Sequence, residues 1–137
     1  MGIVHAEITL KNTYDVKDCE RGIIKEPEIH QTTVTAMVDT GAGTLVINEE
    51  LRIQLGLAVQ GLRRATFANN AKEMCKFTEP VAIYWNNRYT AIPAMVVPDT
   101  DEVLLGAIPL EDMDLMVDPV HQVLTGVHGD DIVCLVK

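Results

Sequence analysis

Apolar and β-branched residues recur at every second position in short runs along this chain, and that period confines it to many brief strands rather than a helical bundle. Gln31 to Val38 shows the pattern most plainly, with Thr33, Thr35 and Met37 alternating against Val34, Ala36 and Val38. Further strands are expected at Ile3 to Leu10, Leu115 to Val117, Gln122 to Leu124 and Ile132 to Val136. Two hairpins lie between them, one from Gly61 to Phe77 turning at Asn69-Asn70 and one from Val81 to Val97 turning at Asn86-Asn87. Asparagine tolerates the positive φ that such turns require. The apolar run Val103-Leu104-Leu105-Gly106 precedes a short helix over Pro109 to Met113, where proline suits the first turn. Asn48 caps the one clear helix of the first half, Glu49 to Leu55, with acids at its positive end and Gly56 as its stop. Lys11 to Glu28 is polar, contains Gly22 and Pro27, and reads as a long loop. The fold class is all-β with one or two short helices.

A chain of 137 residues, 47% of them hydrophobic, can bury one core, and no linker or repeat divides it, so a single domain over residues 1–137 is expected. Its 20 acidic against 11 basic residues give a net charge of −9, which argues against a nucleic-acid partner. No run approaches the roughly 18 to 20 apolar residues of a membrane helix, and the first residues lack the basic and apolar regions of a signal peptide. A cytoplasmic protein without membrane attachment is expected. Cys19, Cys75 and Cys134 are odd in number and widely spaced, so they read as reduced thiols, with Cys134 a small buried hydrophobe and Cys19 flanked by acids that oppose thiolate formation. His5, His30, His121 and His128 form no close pair, and neither a metal nor another cofactor is expected. Asp118, before Pro119, reads as a turn residue, and Tyr84, Trp85 and Tyr89 as a hairpin packed on the core.

The strand ending at Val38 runs into Asp39-Thr40-Gly41-Ala42-Gly43, where chemistry concentrates. A carboxylate leaves the core beside a hydroxyl, a backbone free to turn, and two small residues that leave room for another chain. An Asx turn is the bland explanation for such an Asp. One carboxylate cannot both take a proton from water and give one to a substrate. Were a two-fold axis to set Asp39 beside its copy, repulsion at about 3 Å and an effective dielectric near 20 is roughly 5 to 6 kcal/mol, about 4 pKa units. One proton would then be shared, the ionised member drawing a proton from water while its partner hydrogen-bonds an amide carbonyl.

Val38-Asp39-Thr40-Gly41-Ala42 resembles the active-site loop of the retropepsin-like aspartic proteases, whose paired carboxylates are the known case of this splitting. Leu104-Leu105-Gly106 before a short helix resembles the family's second structural loop, the hairpin at Asn69-Asn70 falls where the family carries its flap, and Leu115-Met116-Val117-Asp118-Pro119 resembles the tail of cellular and prokaryotic members. The resemblance implies a closed-barrel acid-protease fold, active as a homodimer, that hydrolyses a peptide or protein substrate. It implies catalytic roles for Asp39, for Thr40 as a bond across the dimer axis, and for Gly41 as the turn. Ala42 and Gly43 would line the substrate cleft, and Ala68, Asn69, Asn70 and Ala71 would form the flap tip that closes over it. Only one Asp-Thr-Gly is present, since Asp99-Thr100-Asp101 lacks the glycine, so one chain cannot supply both loops.

Two departures matter. Retroviral members carry a paired Asp and Arg where this chain has Gly43 and Ala107, and they lack the stretch from Lys11 to Glu28. A catalytically weak or silent peptide-binding or scaffolding dimer is the alternative these departures motivate, and a thiol or metal enzyme is a third.

Overall fold

The computed structural model describes residues 3–136. Nine strands, three α-helices and one short 3-10 turn alternate along it: β1 His5–Asn12, α1 Thr13–Glu20, the 3-10 turn Glu26–Glu28, β2 Gln31–Val38, β3 Leu45–Ile47, α2 Glu49–Gln54, β4 Val59–Thr66, β5 Lys72–Trp85, β6 Arg88–Val96, β7 Val103–Leu105, α3 Ala107–Asp112, β8 Leu115–Asp118 and β9 Val123–Gly126. Seven strands form one sheet in the order β1-β2-β7-β3-β6-β5-β4, and β1 also pairs with β5. That extra pairing, Thr9 with Tyr84 through Asn12 with Val81, closes six strands into a barrel and leaves β4 outside the ring. Closure removes the free edges of the ring strands, while the β4–β5 ribbon beyond the ring keeps its own.

The period-two pattern produces the core. In β1, Ala6, Ile8 and Leu10 point inward while His5 and Glu7 face solvent. Ile8 and Leu10 meet Leu45, Ile47, Ile83 and Leu105 at the centre, each shielded from water. Full burial of one such side chain is worth about 1.5 to 3 kcal/mol. Among the described residues no helix is long and apolar enough to cross a membrane.

Thr78 shows how β5 bends without loss of hydrogen bonds. The register shifts between Phe77 and Pro80, and the buried Thr78 hydroxyl accepts from Ala94 N–H at 3.1 Å and donates to Glu79 O at 2.7 Å. Thr78→Val keeps the shape and strands the Ala94 N–H. It is expected to lower unfolding free energy by about 1 to 2 kcal/mol, read from the urea midpoint.

Residues 11–28 differ from the loop expected. They continue β1 to Asn12, form α1 and end in the 3-10 turn, so three helices stand where one or two were expected. The cause is Asn12, which is buried. Its Oδ1 accepts from Asp15 N–H at 3.1 Å and caps α1, while its Nδ2 donates to Leu55 O at 2.9 Å and Gly56 O at 3.2 Å at the end of α2. A cap tied to carbonyls 43 and 44 positions away leaves no local apolar period to read.

The C-terminal segment also differs. Ile132 to Val136 forms no strand, and Cys134 is exposed rather than buried. What holds this segment is polar. Arg88, buried, donates from Nη1 to Met113 O at 2.8 Å and Asp114 O at 2.9 Å, and from Nη2 to Gly129 O and Asp131 O. The Asp114 carboxylate accepts from His128 Nδ1 at 2.7 Å and Val133 N–H at 3.1 Å. Asp118 does turn chemistry as expected, accepting from Val120 and His121 N–H groups and from the His121 ring.

These contacts set a pH limit. The His128 hydrogen bond first, then the Val133 N–H, holds the Asp114 carboxyl below its ordinary 3.8, and His121 does the same for Asp118. Lys76 and then Arg52 lower Glu49 from 4.5. Because the folded values are depressed, the stability they contribute is present above the ordinary values and lost as pH falls through the folded ones. Thermal midpoints are expected to hold level from about pH 7 to pH 5 and to fall below about pH 4. A midpoint unchanged down to about pH 2 would contradict this assignment.

Candidate active site

Asp39 sits where β2 leaves the barrel, and a crossing of strands holds it there. β7 lies between β2 and β3, parallel to the first through Ala36–Val103, Met37–Leu104 and Val38–Leu105, and antiparallel to the second through Leu45–Leu105 and Val46–Leu104. The loop 39–44 therefore passes over the end of β7. Asp39 N–H donates to Leu105 O at 3.0 Å, Ala107 N–H to Ala42 O at 2.8 Å, and Ile108 N–H to Gly43 O at 3.0 Å. Thr44 Oγ1 donates to Pro93 O at 2.9 Å and ties the far end of the loop to β6.

Gly106 makes this crossing possible. A Cβ there would meet Ala42 O at 2.6 Å and Thr44 N at 2.8 Å, and would lie closer still to Thr44 O. Its φ of −90° is one any residue adopts, so space alone demands glycine. In sequence Gly106 closes an apolar run that resembles the family's second structural loop; only the crossing reveals it as the floor beneath residues 39–44.

Within the loop, Ala42 N–H donates to Asp39 O at 3.0 Å and Gly41 N–H to Asp39 Oδ1 at 2.9 Å. The second contact is the Asx turn itself. It orients the carboxylate through one oxygen, and among the described residues no hydrogen bond occupies Oδ2. Asp39 is half-buried, while Thr40, Gly41 and Gly43 are exposed. The carbonyls of Ala42 and Gly43 are committed to the start of α3, while the N–H groups of Thr40 and Gly43 make no hydrogen bond among the described residues.

The hairpin expected to turn at Asn69-Asn70 forms between β4 and β5. Phe67 N–H donates to Ala71 O and Asn70 N–H to Phe67 O, both at 2.9 Å, and Asn69 Oδ1 accepts from Ala71 N–H at 3.0 Å. Asn70 takes φ of 67°, as an asparagine turn allows. Ala68, Asn69 and Ala71 line an open cleft of about 490 Å³ together with Phe67, Glu73 and Val97. Phe67, Glu73 and Val97 escaped sequence reading, although Glu73 pairs with Ala65 and so shares its face of the hairpin. No residue of 39–43 lines that cleft, so the loop and the hairpin tip are separate surfaces of the chain.

Elsewhere, His30, His121 and His128 each bond a neighbouring Asp carboxylate. Burial first, with Glu73 nearby, pushes the Cys75 thiol upward, away from the thiolate a nucleophile requires.

The family model described as Aspartyl protease matches residues 26–107, a span that runs from before β2 to the residue after Gly106. Among solved structures, the retroviral protease-like domain of Ddi1 from Leishmania major aligns with a TM-score of 0.58 and 17% identity, covering 96% of this chain and 91% of that one. A retropepsin-like aspartic protease from Rickettsia conorii aligns with a TM-score of 0.45 and 19% identity over 86% of this chain and 89% of its own. No curated protein matches. A six-strand closed barrel, an Asp-Thr-Gly loop braced on the glycine after β7, and a family match over both parts lead to one assignment: the chain belongs to the retropepsin-like aspartic proteases.

Proposed function

We propose that this protein is an aspartic endopeptidase acting as a homodimer, with one Asp39 from each protomer. The two carboxylates share a proton. The ionised member removes a proton from a bridging water, whose oxygen attacks the peptide carbonyl carbon, while the protonated member donates to the carbonyl oxygen. The tetrahedral adduct then collapses, a proton passes to the leaving nitrogen, and an acid and an amine depart without a covalent intermediate.

The observation that carries this reading is the Asp39 carboxylate, oriented by the Gly41 N–H through Oδ1 and left without a partner at Oδ2. Thr40 holds the two loops in register across the axis. Ala42 and Gly43 line a substrate cleft that the two protomers form together, with the Gly43 N–H available to an extended substrate. Ala68, Asn69, Asn70 and Ala71 close over it from the flap. Three free thiols fit a reducing, cytoplasmic setting.

The deciding experiment is cleavage of a peptide library across about pH 4 to 7 by wild type and by Asp39→Asn, with sedimentation of both. Equal cleavage by the two proteins, or a monomer at every working concentration, overturns the proposal. The alternative, a peptide-binding dimer that cuts little, is favoured by Gly43 and Ala107 at the positions where retroviral relatives carry an ion pair. It requires peptide binding that survives Asp39→Asn and no turnover by wild type.

A further inference from the structure

One stretch of this acidic chain carries a net positive charge, with four of the chain's 11 basic residues. Residues 59–77 carry Arg63, Arg64, Lys72 and Lys76 against Glu73, a net of +3, which leaves −12 on the other 118 residues. β5 meets β6 only from Lys76 onward and β1 only from Val81, so the ribbon between Arg63 and Cys75 extends beyond the barrel as two strands paired to nothing but each other.

Cross-strand register sorts the ribbon into two faces, because directly paired residues point the same way. Arg63 with Cys75 and Ala65 with Glu73 share the face that holds buried Cys75 and the cleft-lining Glu73. Leu62 with Lys76, Arg64 with Met74 and Thr66 with Lys72 share the outer face. That face carries no acid. Leu62 is 61% and Met74 57% exposed, and Arg64 and Lys72 are exposed as well. Lys76 is tied to Glu49 Oε2 at 2.8 Å, whereas Arg64 and Lys72 make no ion pair or hydrogen bond among the described residues. Elsewhere Lys17, Arg52 and Arg88 are engaged, while Arg21 and Lys25, near α1 and away from the ribbon, also make no side-chain ion pair or hydrogen bond among the described residues.

We infer that the outer face of this ribbon is a docking surface for an acidic protein segment that also carries apolar side chains. Its carboxylates meet Arg64 and Lys72, and its apolar groups cover Leu62 and Met74. Charge complementarity selects this occupant. A polynucleotide would run past two free cations into a body of net negative charge. A second copy docked face to face by a two-fold axis would set cations against cations. The inference goes beyond proteolysis and does not depend on it.

The test is fluorescence anisotropy of a short labelled peptide of Glu and Leu with the full chain carrying Asp39→Asn, so that no cleavage intervenes. Saturable binding is expected, weakened by added salt and by Gln in place of Glu, and reduced at least about tenfold by R64E/K72E. L62S/M74S is expected to weaken binding with little change in its salt dependence. R64Q/K72Q repeats the charge test should the reversal impair folding. No saturable binding, binding unchanged by R64E/K72E and R64Q/K72Q, preference for an oligothymidylate, or self-association lost on charge reversal would each overturn the inference. Proteolysis by wild type that disappears in Asp39→Asn is a separate result, so either idea can fail alone.

Discussion

Asp39→Asn is expected to abolish peptide cleavage, with a loss of at least about a thousandfold in rate, while leaving the fold intact. A general acid or base is worth about a hundred- to ten-thousandfold, and in a homodimer the substitution removes both members of the pair at once. Asparagine cannot take a proton from water near neutral pH. It keeps the shape of aspartate and an oxygen that can accept the Gly41 N–H, now found at 2.9 Å from Oδ1, so the loop need not move. The thermal midpoint should therefore match wild type while cleavage disappears. Should the variant unfold instead, the comparison shifts to Asp39→Glu, which keeps the acid and displaces it; restored fold without activity leaves the assignment standing, and full activity at either variant removes it. The wild-type rate is expected to be bell-shaped in pH, one limb for each titration of the pair.

Gly106→Ala is expected to cost about 3 kcal/mol or more, the largest stability loss of any single methyl added to this chain's active-site region. The added carbon would meet Ala42 O at 2.6 Å and Thr44 N at 2.8 Å, both backbone atoms that no rotamer change can move. Relief requires lifting the loop 39–44 off β7, which would break the hydrogen bonds that Ala107 and Ile108 make to Ala42 and Gly43. Activity and stability should fall together. Gly43→Ala is the control, because a Cβ there meets nothing within 4 Å, and its urea midpoint should stay within about 0.5 kcal/mol of wild type. Equal midpoints for the two variants would show that the loop does not rest on Gly106.

Local rules carried much of the fold. β2 and its entry into Asp39 were legible because alternation and a small, polar loop lie next to each other in sequence. α2 was legible because Asn48 accepts from Leu51 N–H at 2.8 Å and Gly56 takes φ of 63°, both features of single residues. The turn at Asn86 was legible for the same reason, with φ of 50°. α1 was not, since it has no apolar stripe and depends on a cap anchored at Leu55 and Gly56. The alternation of Ile132 to Val136 misled because a strand needs a partner as well as a period, and the ring had already closed between β1 and β5.

What the amino-acid order determined by itself was most of the strands, though not β3, together with the tight turns, the family resemblance and the Asp-Thr-Gly loop at the end of β2, because each depends on residues within a few positions of one another. Tertiary structure alone decided that β7 enters between β2 and β3, that Gly106 becomes the floor beneath Asp39, and that the β4–β5 ribbon presents Arg64 and Lys72 on its outer face. Those outcomes depend on contacts between segments tens of residues apart. Such contacts are selected by burial and by space, and neither leaves a periodic mark on the chain.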